Sequence, residues 1–179
     1  MSYWKQLDRK TLWRSDWLSI TLDKIELPDG RVIDNFELMH YPHDTVGIVA
    51  VNEKGDVLMV RAYRYLHESF DWEIPGGIVE KDENHVEAVR RELMEETGHT
   101  AEIITPMIDF YPHKATCDQI YYLYLAEGLK KTESEIQKVE ISETGFHSLS
   151  TIRSMIDDGR INESLSLVAL LRYLLKKGK

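Results

Sequence analysis

The segment that most constrains the fold is RRELMEETGH, residues 90–99, which is typical of the last turns of a helix that stops at Gly98. In a helix, Glu92 and Glu96 share one face and Glu95 lies beside them. A helix C-terminus carries partial negative charge, so three glutamates there oppose both the helix dipole and one another. The helix alone leaves two interpretations open: a solvated face of an acidic protein, or a set of ligands for a cation.

Two glycines upstream favour the cation. Gly76 and Gly77 allow a sharp turn and a close backbone approach, so that a carbonyl can point toward the carboxylates. Mg²⁺ prefers oxygen ligands, accepts few protein carboxylates, and keeps water and substrate phosphate in its remaining positions. A glycine loop beside carboxylates one helical turn apart therefore predicts a half-open magnesium site, with Mn²⁺ as a substitute.

The composition is that of a globular protein. The chain has 179 residues, 42% hydrophobic and 30% charged, which suffices for one compact core with a small additional element. The net charge of -9 argues against a nucleic-acid-binding surface, which would carry a basic stripe. It permits an anionic substrate, because a bound divalent cation reverses the local field.

Cysteine usage and hydropathy indicate a cytoplasmic location. Cys117 is the only cysteine, so no intrachain disulfide can form and a reducing compartment is expected. The N-terminus has no apolar signal region, and no apolar run approaches the roughly 18 residues of a membrane helix. We therefore expect no membrane partner.

Hydrophobic patterning predicts more strands than helices. The predicted strands are a hairpin over 16–40 with a turn at 28–30, then 45–52, 56–64, an interrupted strand around Pro75, 101–111, 118–129 and 136–149. The predicted helices are 82–97, with Asp82 as N-cap, a short one from about 150, and a longer one from about 162 that buries Leu165, Val168, Ala169, Leu171 and Leu175. Because strands and helices do not alternate regularly, we predict a mixed-sheet α+β sandwich rather than a doubly wound fold.

The spacing of the glycines and acids resembles a known signature. Gly77 is followed after five residues by Glu83, and after seven more by RELMEETG, residues 91–98. This pattern resembles the Nudix box, whose fixed glycine, glutamate and arginine positions all match. The one departure is His99, where the family usually has an aliphatic residue.

The resemblance implies a fold and a set of roles. The fold is an α/β/α sandwich with a mixed sheet between helices. Glu92 and Glu96 would be the main Mg²⁺ ligands, helped by Glu95 and the carbonyl of Gly76. Two further residues would support them: Glu83 would bond the loop or a water, and Arg91 would orient Glu95 or its neighbours.

Sequences flanking the box resemble the ADP-ribose pyrophosphatase and nucleoside diphosphate-sugar hydrolase subfamily. They are VRAYRY at 60–65, the segment after the box, and the N-terminal hairpin. The resemblance implies an extension over 1–42 for homodimerisation and nucleotide binding, and a hydrolase domain over 43–179. The implied reaction splits the pyrophosphate bond of a nucleoside diphosphate sugar into a nucleoside monophosphate and a sugar phosphate.

Departures from the subfamily leave the sugar open. Ala62 stands where a glutamine is common, and Gln119 where a glutamate is common. The loop after the box, residues 113–116, lacks the usual Pro-Gly. ADP-ribose and GDP-mannose are therefore both candidate substrates.

The catalytic base is expected in the acidic loop at 130–140, by resemblance to ADP-ribose pyrophosphatases. Glu133 is the predicted base, Glu135 an accessory ligand, and Glu140 the reserve candidate. A solvated charged loop is the alternative.

Four other residues are candidates for substrate binding. Arg64 suits the diphosphate, because the guanidinium fork matches phosphate oxygens, although an ordinary arginine at a strand end is the alternative. Trp17 and Tyr41 could stack on a nucleobase, although Trp17 also suits a core or dimer interface. Glu73 is expected near the ribose or the metal.

Three rival functions remain. A binding or sensing module without turnover is opposed by the intact Glu92, Glu95 and Glu96. A hydrolase of nucleoside triphosphates would leave the N-terminal hairpin without a purpose. RNA decapping is disfavoured because the chain has no basic tract.

Overall fold

The structure, a computed structural model, describes residues 3–133 and 140–178. The chain divides into two compact units. The first comprises Met1–Asp44 with Tyr111–Ile120, and the second Thr45–Phe110 with Tyr121–Lys179.

The first unit is built on a three-stranded antiparallel sheet in the order β1-β2-β3. Its strands are β1 (Lys5–Arg14), β2 (Ser19–Glu26) and β3 (Val32–His40). The predicted N-terminal hairpin is confirmed as β2 and β3, and its turn contains Gly30 with a left-handed φ of 83°. Strand β1 was not predicted.

The loop at 111–120 lies along β3 in the same unit. Met39 N donates to Thr116 O at 2.8 Å, and Met39 forms a parallel bridge with Cys117. Asp118 accepts from His40 Nδ1 at 2.7 Å and from Tyr41 N at 2.9 Å. This loop is therefore held by backbone and side-chain bonds to the end of β3.

The second unit is built on a mixed sheet of seven strands with the main order β10-β5-β4-β9-β8. The strands are β4 (Thr45–Val51), β5 (Val57–Arg64), β6 (Ser69–Glu73), β7 (Gly76–Ile78), β8 (His99–Phe110), β9 (Tyr121–Lys131) and β10 (Ile141–His147). Strand β6 pairs with β5, and β7 pairs with β4. Among the strand pairs of the described residues, only β4–β9 is parallel. A 3-10 turn, Tyr65–His67, connects β5 to β6.

Helices cover both faces of this sheet. They are α1 (His85–Thr97), α2 (Leu149–Asp157) and α3 (Ser164–Lys177). Strand β4 alternates between the two faces: Val46 and Ile48 pack with α1, whereas Val49 packs with α2 and α3. The predicted α+β fold, an α/β/α sandwich around a mixed sheet, is confirmed. Among the residues described, no helix combines the length and apolar character needed to cross a bilayer.

The start of α1 differs from the prediction. Asp82 has a left-handed φ of 68° and does not cap the helix. Asn84 is the N-cap instead, since its side chain accepts from Val86 N and Glu87 N, and Glu87 completes the capping box.

The buried face of α3 also differs. Leu171 and Leu175 are exposed, whereas Ser166, Ala169, Leu170, Tyr173 and Leu174 are buried. The face is rotated by about one residue because the hydroxyl of Ser166 is turned inward to accept a backbone hydrogen bond. The helix begins at Ser164 with Glu163 as its cap, later than the predicted start at 162.

Candidate active site

The carboxylate of Glu92 lies directly against Gly77. A Cβ added at Gly77 would collide with both oxygens of that carboxylate. Glu92 is buried, with 9% of its surface exposed. The absence of a side chain at Gly77 is therefore what allows a helix carboxylate to reach the loop backbone.

The carboxylate of Glu96 meets the other glycine. Gly76 N donates to Glu96 Oε2 at 2.9 Å. A Cβ at Gly76 would collide with the carbonyl of Val46, so glycine is required where β7 pairs with β4. The two predicted ligands on consecutive turns of α1 thus face consecutive glycines.

Arg91 connects the acidic residues around the loop. Its Nη1 donates to Glu92 at 2.7 Å and to Glu95 at 3.3 Å, while Nε and Nη2 donate to Glu83 at 3.0 and 2.9 Å. Nη2 also donates to the carbonyl of Ile78 at 2.8 Å. Glu83 accepts a further bond from Glu80 N, and the Arg91 guanidinium holds the pKa of Glu83 below its usual range. Arg91 and Glu83 therefore fix the loop to the helix.

Burial opposes ionisation of the two innermost carboxylates. Burial raises the pKa of Glu96 to about 8, partly countered by the hydrogen bond from Gly76 N. Burial also raises the pKa of Glu92, against the opposing effect of Arg91. A site that disfavours negative charge when empty of cations gains most from a cation that neutralises it.

The donor set fits a hard cation that uses few protein ligands. Glu92, Glu95 and Glu96 offer only oxygen, as Mg²⁺ and Mn²⁺ prefer. Across residues 3–133 and 140–178, no three His, Cys, Asp or Glu side chains are arranged to enclose a metal ion. The described residues therefore form no closed structural cage, and a cation held here would complete its shell with water and substrate.

Arg64 and Glu73 pair with each other. Arg64 Nε donates to Glu73 Oε1 at 2.8 Å, and Nη2 donates to the second oxygen. Glu73 is buried and Arg64 is half-exposed, and the ion pair raises the pKa of Arg64. Both residues were predicted from the sequence to contact the substrate or the metal. No sequence pattern indicated that they form a bidentate pair across β5 and β6.

The other predicted residues are located as follows. Glu133 is exposed just after β9, Glu140 is exposed just before β10, and Glu135 lies outside the described residues. Trp17 is 66% exposed in the turn between β1 and β2, and Tyr41 follows β3. The last two belong to the first unit, whereas the glycine loop and α1 belong to the second.

A residue that the sequence did not single out supports the C-terminus of α1. Lys131 Nζ donates to the carbonyl of Thr97 at 2.9 Å, and Thr132 N donates to Gly98 O at 2.8 Å. The cation that the helix end requires thus comes from β9 rather than from the helix itself. Lys131 is 34 residues from Thr97 along the chain, so no local sequence pattern could indicate this contact.

Comparison with known proteins identifies two domains. A Nudix domain matches residues 41–165, and the nucleoside diphosphate sugar hydrolase N-terminal domain matches residues 4–39. The chain is 29% identical to the ADP-ribose pyrophosphatase of Bacillus subtilis (strain 168), covering 97% of this chain and 96% of that protein.

Two further relatives extend the comparison. The chain is 25% identical to the CMP-5'-(N-acetyl-N-hydroxy-3-aminopropyl)phosphonate hydrolase of Streptomyces rubellomurinus, over 96% of this chain and 82% of that protein. The crystal structure of an ADP compounds hydrolase superposes with a TM-score of 0.87 at 21% identity, covering 99% of this chain and 97% of that one, which confirms the fold. Because the Nudix domain spans most of the chain and carries the box around Gly77 and α1, this protein belongs to the Nudix hydrolase family and has the N-terminal domain of nucleoside diphosphate sugar hydrolases.

Proposed function

We propose that this Nudix hydrolase splits the pyrophosphate bond of a nucleoside diphosphate sugar in a reaction that depends on Mg²⁺, with Mn²⁺ as a substitute. The products are a nucleoside monophosphate and a sugar phosphate. The observation that carries the proposal is the approach of Glu92 and Glu96 to the backbone of Gly77 and Gly76. The match of residues 4–39 to the nucleoside diphosphate sugar hydrolase N-terminal domain supports this substrate class.

Four residues would hold the metal: Glu92 and Glu96 as main ligands, with Glu95 and the carbonyl of Gly76. When bound, the cation supplies charge neutralisation for the diphosphate and lowers the pKa of a coordinated water. Arg91 keeps the Glu92 and Glu95 carboxylates oriented through its bonds at 2.7 and 3.3 Å. Glu83 keeps Arg91 in place.

Glu133 is the proposed general base. It would take a proton from the water that attacks phosphorus, while the bond to the leaving phosphate breaks on the opposite side. Its exposed position leaves it free to meet solvent. Glu135 is the proposed accessory ligand, and Glu140 is the reserve base.

Arg64 is proposed to bind the diphosphate. Nε and Nη2 donate to Glu73, and side-chain exposure of 45% leaves part of the guanidinium accessible to an anion. Glu73 would then act by fixing the arginine, since a preorganised fork loses less entropy on binding phosphate. Trp17 and Tyr41 are proposed to stack on the nucleobase.

The names of two relatives indicate which substrates to test first. One is named an ADP-ribose pyrophosphatase and the other a hydrolase of a CMP-linked phosphonate. Both names describe a nucleotide joined through phosphorus to another group. ADP-ribose and GDP-mannose are accordingly the first compounds to test, and a strict preference for ADP-ribose is the alternative to a broader range of nucleoside diphosphate sugars.

The deciding experiment is a kinetic survey of ADP-ribose, GDP-mannose and several UDP- and ADP-sugars with Mg²⁺ and with Mn²⁺. We expect one or a few sugars to dominate kcat/KM, and turnover to stop when the metal is chelated. Product analysis in ¹⁸O water would locate the phosphorus attacked. Absence of metal-dependent hydrolysis across the survey would contradict the proposal and favour a sensing module.

Replacing a central ligand gives the first prediction. Glu96→Gln removes the charge of a proposed metal ligand but retains its shape, so kcat should fall by at least about a hundredfold, beyond the usual cost of losing an outer-shell partner. Circular dichroism should show an unchanged fold. The matched control is Glu87→Gln on the same helix, because glutamine also serves the capping box. Near-normal activity of Glu96→Gln would show that the metal assignment is wrong.

The protein is also proposed to form a homodimer through its N-terminal sheet. Strand β1 is exposed at every residue, and it lies at the edge of the sheet. Large exposed apolar residues are Leu7, Leu12 and Trp13 on this strand and Trp4 just before it. An exposed edge strand with apolar side chains is a common site of chain association. A cytoplasmic location, inferred from the single cysteine, stays a prediction.

A further inference from the structure

The chain changes its sheet partner just before the glycine loop. Glu73 is the last residue of β6 paired with β5, opposite Val60. Gly76 is the first residue of β7 paired with β4, opposite Gly47. Between these residues the chain stops pairing with β5 and begins to pair with β4. The amide of Ile74 lies where this change of partner occurs.

The first turn of α3 provides the missing partner. Ser166 is fully buried, and its hydroxyl oxygen accepts a hydrogen bond from Ile74 N at 2.9 Å. Pro75 is the next residue of this connection, and its carbonyl accepts a hydrogen bond from Ile48 N at 2.9 Å. A buried amide left without an acceptor is unfavourable, so the Ser166 hydroxyl fixes the position of this backbone.

The neighbouring leucine covers the glycines. A Cβ added at Gly47 would lie 2.8 Å from Leu165 Cδ1, and one added at Gly76 would lie 3.4 Å from Leu165 Cδ2. Leu165 therefore occupies the space that a side chain on Gly47 would need, and it lies at van der Waals distance from the same position on Gly76. The first turn of α3 thus contacts the loop through a hydrogen bond and through packing.

Glu163 holds this turn. Its carboxylate accepts from Leu165 N at 2.7 Å and from Ser166 N. Glutamate is not a preferred N-cap, for which Ser, Thr, Asp and Asn are favoured. Burial raises the pKa of Glu163, and the negative charge of Glu73 nearby adds to this effect. Glu163 nevertheless caps α3 through two backbone amides, one of which belongs to Ser166.

We propose that Glu163 and Ser166 are positioning residues of the metal site. Glu163 fixes the backbone of Leu165 and Ser166, Ser166 fixes Ile74, and Ile74 sets the register in which Gly76 N meets Glu96. The inference rests on the proposed metal site, but not on the identity of the sugar. Ser166 accepts from the loop backbone and Glu163 accepts from the backbone of α3, so both residues act through the loop.

The test measures Mn²⁺ binding to the substrate-free protein by electron paramagnetic resonance, and amide hydrogen exchange at Ile74 and Gly76. Ser166→Ala should weaken Mn²⁺ binding by about tenfold or more, as is usual for residues that orient ligands. It should also speed exchange at both amides. Two controls also remove a serine hydroxyl at a helix start: Ser164→Ala, which is exposed in the same turn, and Ser148→Ala, the cap of α2. Ser148→Ala should lower Tm without changing Mn²⁺ affinity.

A second pair of variants covers the case in which Ser166→Ala fails to fold. Glu163→Ala should weaken Mn²⁺ binding in the same direction, and Glu163→Asp, which retains a capping carboxylate, should restore it. Wild-type Mn²⁺ affinity in folded Ser166→Ala, or in Glu163→Ala if Ser166→Ala does not fold, would overturn the inference.

The outcomes also separate this inference from the proposed function. A wild-type chain that binds Mn²⁺ but hydrolyses no nucleoside diphosphate sugar would overturn only the proposed substrate. A wild-type chain that binds no Mn²⁺ would overturn the metal site and this inference together.

Discussion

At the scale of single residues, the site depends on an absent side chain. The Glu92 carboxylate occupies the space that a Cβ on Gly77 would fill. Gly77 does not adopt a left-handed φ, so its conformation is open to any residue. What glycine supplies here is room for a carboxylate, and the cost of a side chain should therefore appear in chemistry more than in folding.

Gly77→Ala tests whether a side chain at this position impairs activity more than folding. The methyl group should displace the flexible end of Glu92 while leaving the sheet intact, so kcat should fall by about a hundredfold, as for a catalytic group moved by about 1 Å. Tm should change little. Gly145→Ala is the control, because a Cβ there meets only ordinary contacts at 3.5 Å and beyond. Equal activity of the two variants would contradict the role given to Gly77.

His99, the one departure from the box, is a buried residue with a defined partner. Its Nδ1 bonds the carbonyl of Thr97 at 2.9 Å, and its ring packs edge-to-face on Phe146. Burial lowers the pKa of His99 below its ordinary value of 6.5. It therefore fills the aliphatic position of the family as a neutral ring.

That lowered pKa predicts a pH dependence of stability. Below the ordinary pKa the unfolded chain takes up a proton that folded His99 resists, so the free energy of unfolding should fall as pH decreases through this range. His99→Leu should reduce this loss of stability at low pH. It should not abolish the loss, because burial also lowers the pKa of His147. Urea unfolding at about pH 7.5 and about pH 5.5 would measure the difference. Identical pH dependence in both proteins would contradict the assignment.

At the scale of elements, α1 is stabilised against its own acidity by a residue from another strand. Lys131 donates to the last turn through Thr97 O, and the left-handed Gly98 ends the helix. The sequence predicted the helix and its end because both depend on neighbours along the chain. It could not predict Lys131, which reaches the helix only through the pairing of β8 with β9.

Lys131→Met tests this contribution. The loss of a cation at a helix C-terminus should lower the free energy of unfolding by about 0.5–1 kcal/mol, and less at high salt. Lys130→Met is the control on the same strand, because Lys130 pairs with Glu102 at the exposed surface and such pairs contribute little. Denaturant unfolding of the two variants measures the difference, and equal losses would refute the capping role.

Sequence reasoning missed one strand for a local reason, and it missed a helix face and an ion pair because both depend on long-range contacts. Strand β1 was missed because KQLDRKTLWR is rich in charge and has β-bulges that break a simple alternation. The buried face of α3 was rotated because Ser166 lies inward to meet Ile74, a contact between residues far apart in sequence. Arg64 and Glu73 belong to the same class, since their pairing depends on the register of β5 with β6.

In the whole molecule, the two units carry different parts of the proposed function. The second unit contains the complete box, the glycine loop and α3. The first contains the three-stranded sheet, with the loop at 111–120 added along β3. An ion pair between exposed Arg9 and buried Asp23 supports that sheet: Arg9 Nε and Nη2 donate to Asp23 at 2.7 Å, and the Arg9 guanidinium holds the pKa of Asp23 below its usual range.

The proposed dimer can be tested by its mass in solution. Light scattering at micromolar concentration should give the mass of two chains. Leu12→Glu, on the exposed edge strand β1, should shift the protein to a single chain, because a charge in an apolar interface is left without a partner. Leu66→Glu is the matched control: this leucine is 88% exposed in the turn between β5 and β6, in the other unit, and its replacement should leave the dimer intact. A single chain for the wild type, or dissociation caused by Leu66→Glu alone, would refute association through the N-terminal sheet.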